Sequence, residues 1–117
     1  MNFPLDELGS AVSARAETWE RLGLEWRIGP VAPNHGKPVV VGEFESAVWL
    51  GGLLIWISGE AELDAVRVCD DHAVSKHYDL AGRADLEVLF GELDALLTAG
   101  RVPDAAVVHR HPSPPAS

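Results

Sequence analysis

The sequence predicts an α+β fold: a two-layer sandwich in which an antiparallel meander of about five strands is covered on one face by an N-terminal and a C-terminal helix. Three observations lead there. Apolar residues recur at helical spacing near both ends, they alternate with a period of two in between, and the links between the alternating stretches are short. Short links force antiparallel pairing, because parallel neighbours need a long crossover. Helices on one side of the sheet leave its other face to water or to a partner.

The first helix is predicted over PLDELGSAVSARAETWERLGLEW, with Leu5, Leu8, Val12, Ala16, Trp19 and Leu22 along one face. Pro4 suits a first turn, Asp6 and Glu7 suit the positive end of the helix dipole, and Arg21 suits the negative end. Gly23 is placed to cap it. LEWRIG then alternates as a first strand, with Leu24, Trp26 and Ile28 on one side. PVAPNHGKP reads as turn chemistry.

VVVGEFES is the second strand and AVWLGGLLIWIS contains the third, with Gly51-Gly52 read as a bend or bulge at its start. Ser58-Gly59-Glu60 turns into AELDAVRV, the fourth strand. Asp70-Asp71-His72 turns into AVSKHYDL, the fifth, with Val74, Tyr78 and Leu80 on one face. AGRADLEVLFGELDALLTAG is the second helix, striped by Leu86, Leu89, Phe90, Leu93, Leu96 and Leu97. Gly91 is read there as a point of close approach to the sheet, and Gly100 as the stop. Residues 1–100 form one domain on this reading. Residues 101–117 are read as a Pro/Ser-rich disordered tail.

A chain of 117 residues with 47% hydrophobic and 23% charged residues suits one domain with its own core. The formal net charge of −9 argues against direct nucleic-acid binding, which needs a basic footprint, and favours a basic partner. The first residues, MNFPLDELGS, lack the features of a secretory signal. The longest apolar run, Ala47 to Ile57, is broken by glycine and is short of the ~20 residues of a membrane span. Cys69 is the single cysteine, so no intrachain disulfide forms. A cytoplasmic location is expected.

Signatures of chemistry are weak. His35, His72, His77, His109 and His111 lack the spacing of a helical metal pair, and no metal or other cofactor is expected. Cys69 lies beside Asp70 and Asp71, which disfavour a thiolate; it is read as a half-buried structural residue. The nucleophile elbow GxSxG and the phosphate-binding glycine patterns are absent. Glu60, Glu62 and Asp64 alternate on the fourth strand and share a face. A solvated strand face explains them better than acid–base catalysis. No catalytic residue is assigned, and the chain is expected not to be an enzyme.

The run WLGGLLIWISGEAEL raises a question of faces. Leu53, Ile55 and Ile57 point one way, and Leu54, Trp56 and Ser58 the other. With the aliphatic set beneath the helices, Trp56 stands on the open face. Glu62, Asp64, Ser75 and His77 then share that face. An aromatic group with a polar rim has the composition of a binding hot spot. The converse assignment puts Trp56 in the core. Trp19 and Trp26 fall on apolar faces, and Trp49 is compatible with either side.

Glu45-Ser46, Leu50-Gly51, Trp56, Ser58-Gly59-Glu60 and Leu63, followed by His77-Tyr78-Asp79-Leu80 and a leucine-spaced helix, resemble the TriTu family of bacterial immunity proteins. The resemblance covers roughly Leu5 to Leu97 and is most specific in LGGLLIWISGEAEL. It implies a cytoplasmic antidote that binds and neutralises the cognate toxin of a polymorphic toxin system. The partner-binding residues would be Trp56, Glu60, Glu62, Asp64 and His77, set against a basic toxin surface. Two other classes stay open: a non-catalytic adaptor, and a small-molecule-binding protein with a pocket lined by Trp19, Trp26 and Tyr78.

Overall fold

The structure is a computed structural model of the chain, and it describes residues 3–34 and 36–110; for Asn34 and Arg110 only the backbone is described. Among the described residues it is an α+β fold with three helices and a 7-stranded antiparallel sheet. The helices are α1 (Glu7–Ala14), α2 (Ala16–Leu22) and α3 (Arg83–Ala99). The strands are β1 (Glu25–Ile28), β2 (Ala32–Asn34), β3 (Lys37–Glu45), β4 (Trp49–Trp56), β5 (Glu60–Arg67), β6 (His72–Asp79) and β7 (Val107–Arg110). They lie in the order β1-β3-β4-β5-β6-β7, with β2 also paired to β3. No helix among the described residues is long and apolar enough to cross a membrane.

The predicted alternation holds. Val40, Phe44, Leu53, Ile55, Ala61, Leu63, Ala65, Val74 and Tyr78 form the inner face of the sheet, and they share one buried cluster with Leu8, Val12, Trp19, Leu86, Leu89, Phe90, Leu93 and Leu96 of the helices. Aromatic rings fill the middle: Trp26 lies 5.0 Å from Phe44 and 5.5 Å from Trp19, and Phe90 lies 5.6 Å from Trp19. Trp49 takes the inner side and is buried.

The predicted single N-terminal helix is two. Arg15 leaves helical geometry at φ −112°, ψ 26°. The buried indole Nε1–H of Trp19 donates to the Val12 carbonyl at 3.0 Å, and the Arg15 N–H donates to the same oxygen. The Arg15 side chain reaches Glu87 on α3 at 3.1 Å. Arg83 joins Glu87 at 2.8 Å and Glu7 at 2.6 Å, so one ion network ties α1 and the junction between α1 and α2 to α3. The break also turns Ala16, assigned above to the core stripe, out to solvent.

Two further strands raise the predicted five to seven. Ala32–Asn34 folds back on Lys37–Val39 through a loop whose Gly36 has φ +80°. Pro33 hid this strand in the sequence, yet proline is tolerated at a sheet edge where its missing N–H faces no partner. Val107–Arg110 pairs with β6, so the tail read as disordered contributes an edge strand. Residues 111–117 of that tail lie outside the described residues.

Gly51 and Gly52 make neither bend nor bulge: β4 pairs without interruption with β3 on one side and β5 on the other. Gly91, read as a close approach to the sheet, is instead exposed, with nothing within 4 Å of where a Cβ would stand. Gly91→Ala is therefore expected to stabilise the protein by about 1 kcal/mol through helix propensity alone. That corresponds to a rise in Tm of about 4 °C, and an unchanged or lower Tm in a thermal melt would refute it.

Candidate functional site

The outer face of the sheet is built by the same alternation that builds the core. Every second residue of the strands points away from the helices. Four transverse rows result. Val39 pairs with Trp56 at one end of the face; Val41, Leu54, Glu62 and His77 form the next row. Arg27, Glu43, Gly52, Asp64, Ser75 and Val107 cross the centre. Glu25, Glu45, Leu50, Val66, Ala73 and His109 form the fourth row. On this face only Val39 and Ala73 are buried; the rest are exposed or half-buried.

The structure places Trp56, Glu60, Glu62, Asp64 and His77 together on this face, as the alternation predicts. Trp56 is half-buried beside buried Val39, at the end of β4 rather than at the centre. Glu62 sits directly across from His77, and Asp64 across from Ser75. The Ser75 hydroxyl donates to Asp64 at 2.5 Å. Glu60 lies 3.9 Å from the Lys37 ammonium, and Arg27 lies 3.4 Å from Glu43.

Charge is strongly one-sided. Glu25, Glu43, Glu45, Glu60, Glu62, Asp64 and Asp79 project from the outer face, against Arg27 and Lys37. His77 is held between two of these carboxylates, with Nδ1 2.7 Å from Glu62 and Nε2 3.2 Å from Asp79. The hydrogen bond with Glu62, then that with Asp79, raises its pKa above the ordinary 6.5. Only the imidazolium donates from both nitrogens at once. The sign follows: a raised folded-state pKa adds stability that is full below about 6.5 and is lost as pH rises through the folded-state value. In an NMR pH titration the His77 ring is expected to titrate above 6.5, and Glu62→Gln to bring it back toward that value. A midpoint at or below 6.5 in the native chain would contradict the pairing.

Glu60, His77 and Asp79 bring one potential ligand atom each within 4.8 Å of one another, so they form the cluster among the described residues that could hold a divalent ion. All three are exposed, and both imidazole nitrogens are already committed to carboxylates.

Sequence reasoning missed an apolar patch at the far end of the same face. Val48 is 51% exposed, Leu50 43% and Val68 49%, and the Val68 N–H donates to the Val48 carbonyl at 2.8 Å. Val66 sits beside Leu50. The signal was present, since all four residues share the outward parity of Trp56, but the patch is assembled from two strands and needs their register. Cys69, expected to be half-buried, is exposed in the turn beyond it.

A separate groove of about 510 Å³ lies beside α1, α2 and β1, lined by Val12, Trp19, Leu24 and Trp26 among others. Tyr78, grouped with Trp19 and Trp26 in the pocket reading, is not part of it. Its hydroxyl donates to Glu92 on α3 at 2.6 Å, and burial, reinforced by that carboxylate, raises the phenol pKa. This groove therefore does not join the three aromatic residues. Comparison with protein-family models, with curated proteins and with solved structures finds no match.

Proposed function

We propose that this chain is a non-enzymatic immunity protein that neutralises a basic toxin in the cytoplasm by covering the toxin's active or substrate-binding surface with the outer face of its sheet. The observation that carries the reading is that face: carboxylates outnumber cations across it, and apolar groups stand at both ends. Its dimensions suit the task. The four long strands β3 to β6, of eight or nine residues at about 3.3 Å per residue and about 4.8 Å per strand, give roughly 500 Å² in projection. One side of a standard interface is ~800 Å² of accessible surface.

The mechanism is steric and electrostatic. Toxins that act on nucleic acid carry basic surfaces, and an acidic face steers encounter with them and speeds association at low salt. Apolar groups at the two ends supply the desolvated contact that slows dissociation. The resemblance to TriTu immunity proteins supports the same reading. The test is a toxicity rescue with the C-terminal domain of a large protein encoded immediately upstream. Growth arrest by that domain, relieved by co-expression of this chain, is expected. Failure of rescue with both proteins soluble would defeat the proposal.

A further inference from the structure

We propose that the groove beside α1, α2 and β1 is a binding site for a small amphipathic amine, a molecule with a protonated nitrogen, an apolar body and an acceptor oxygen. The site is separate from the proposed docking face, and neither reading needs the other.

The groove measures about 510 Å³, within the range of about 300–1,000 Å³ that small-molecule sites occupy. Val12, Ala16, Trp19, Leu24 and Trp26 give it an apolar wall. The helix break at Arg15 shapes that wall: Val12 and Ala16 stand on either side of the break, and Ala16, turned out of the core by it, lines the groove.

Two observations specify the occupant. The first is charge. Glu20 lines the groove and is exposed, and its carboxylate has no ion pair or hydrogen bond with any described residue. None of the described residues that line the groove is basic. The last turn of α2 borders it through Glu20 and Gly23, and helix C-terminal carbonyls add partial negative charge. A cation is favoured there, and an indole wall attracts an ammonium further through its ring quadrupole. The second observation is a stranded donor. The Trp26 Nε1–H is buried without an acceptor, although buried polar groups are nearly always paired. A Cβ at Gly42 would stand 3.1 Å from Trp26 Cζ3 and 3.3 Å from Cε3, so that edge of the ring lies against β3 and the opposite edge, with Nε1, points away from it. Trp19 differs, since its Nε1–H is spent on the Val12 carbonyl. Phenylalanine at position 26 would pack on Phe44 and Phe90 without stranding a donor. An occupant whose oxygen meets the N–H, after a small turn of the half-buried ring, accounts for the indole.

The experiment is an NMR titration of the full ¹⁵N-labelled chain with para-methoxyphenethylamine. Phenethylamine, which lacks the oxygen, and para-methoxyphenylacetate, which carries a carboxylate in place of the ammonium, are run beside it. Saturable shifts of the Trp26 and Trp19 indole N–H signals are expected. The methoxy amine should bind about threefold tighter than phenethylamine, and the carboxylate should give no saturable response. Glu20→Gln, an exposed change, should weaken the methoxy amine about fivefold. Trp26→Phe should keep the dispersed spectrum of a folded chain and bind the two amines equally. No saturable response to the methoxy amine, shifts centred on outer-face acids such as Glu43 and Glu62, equal binding of the carboxylate, no preference between the two amines, or native affinity in Glu20→Gln would each overturn the site. Glu20→Gln should leave the toxicity rescue unchanged, so failure of this site and failure of the docking face are told apart.

Discussion

Gly51→Ala is expected to destabilise the protein by about 3 kcal/mol or more, at the upper end of what overpacking costs. The inner face of the sheet has no space at this position. A Cβ on Gly51 would stand 2.3 Å from the Asp64 carbonyl oxygen and 2.3 Å from Phe44 Cζ. The first obstacle is backbone held in the β4–β5 ladder. The second is a ring 2% exposed, wedged against Trp26. Neither can retreat without disturbing the aromatic centre of the core. With total stabilities of about 5–15 kcal/mol, such a loss brings unfolding close to ambient temperature. Urea denaturation measures it, and Phe44→Leu in the same background should recover part of it by removing the obstructing ring atoms. A Gly51→Ala midpoint within experimental error of the native one would mean the Phe44 packing is misplaced.

Trp56→Ala and Trp49→Ala are expected to fail in opposite ways. Trp49 is buried on the inner face, within the core cluster. Its truncation should cost about 3–5 kcal/mol of stability. Trp56, seven residues on, has the opposite parity and stands half-buried on the outer face. Its truncation should leave the fold largely intact and weaken binding to the proposed toxin partner by about 2 kcal/mol, close to 30-fold in Kd. Calorimetry with the toxin domain and denaturation of each variant separate the two. Unchanged affinity in Trp56→Ala would remove that end of the face from the interface.

The opposition of Trp56 to Leu53 and Ile55 was legible in the sequence because alternation is a local property, but which set faced the helices, and which side Trp49 took, were left open there. The two faces of β5 and β6 followed in the same way. What escaped was whatever depends on a neighbouring strand. The apolar residues Val48, Leu50, Val66 and Val68 become a patch only through the pairing of β4 with β5. Gly51-Gly52 suggested a bend because two adjacent glycines weaken a strand, whereas Gly51 answers to the ring of Phe44, and at Gly52 a Cβ would meet only the Gly42 carbonyl oxygen at an ordinary 3.5 Å. The short edge strands β2 and β7 were hidden by Pro33 and by the proline-rich company of Val107–Arg110; their order comes from an existing neighbour strand rather than from propensity. The division of the first helix at Arg15 reflects a tertiary demand, since Glu87 on α3 draws the arginine and the Trp19 indole takes the Val12 carbonyl.

The most direct measurement compares two charge-reversal triples in the toxicity rescue. Glu43→Lys, Glu62→Lys and Asp64→Lys alter the outer face; Glu17→Lys, Glu20→Lys and Asp104→Lys alter exposed sites away from it. Each triple replaces three carboxylates by ammonium groups and moves the formal net charge from −9 to −3. If the outer face docks the toxin, the first triple abolishes protection and the second preserves it, with both proteins folded by circular dichroism. Equal loss in both would show that bulk charge acts without a dedicated face, and full protection by the first triple would show that the toxin docks elsewhere.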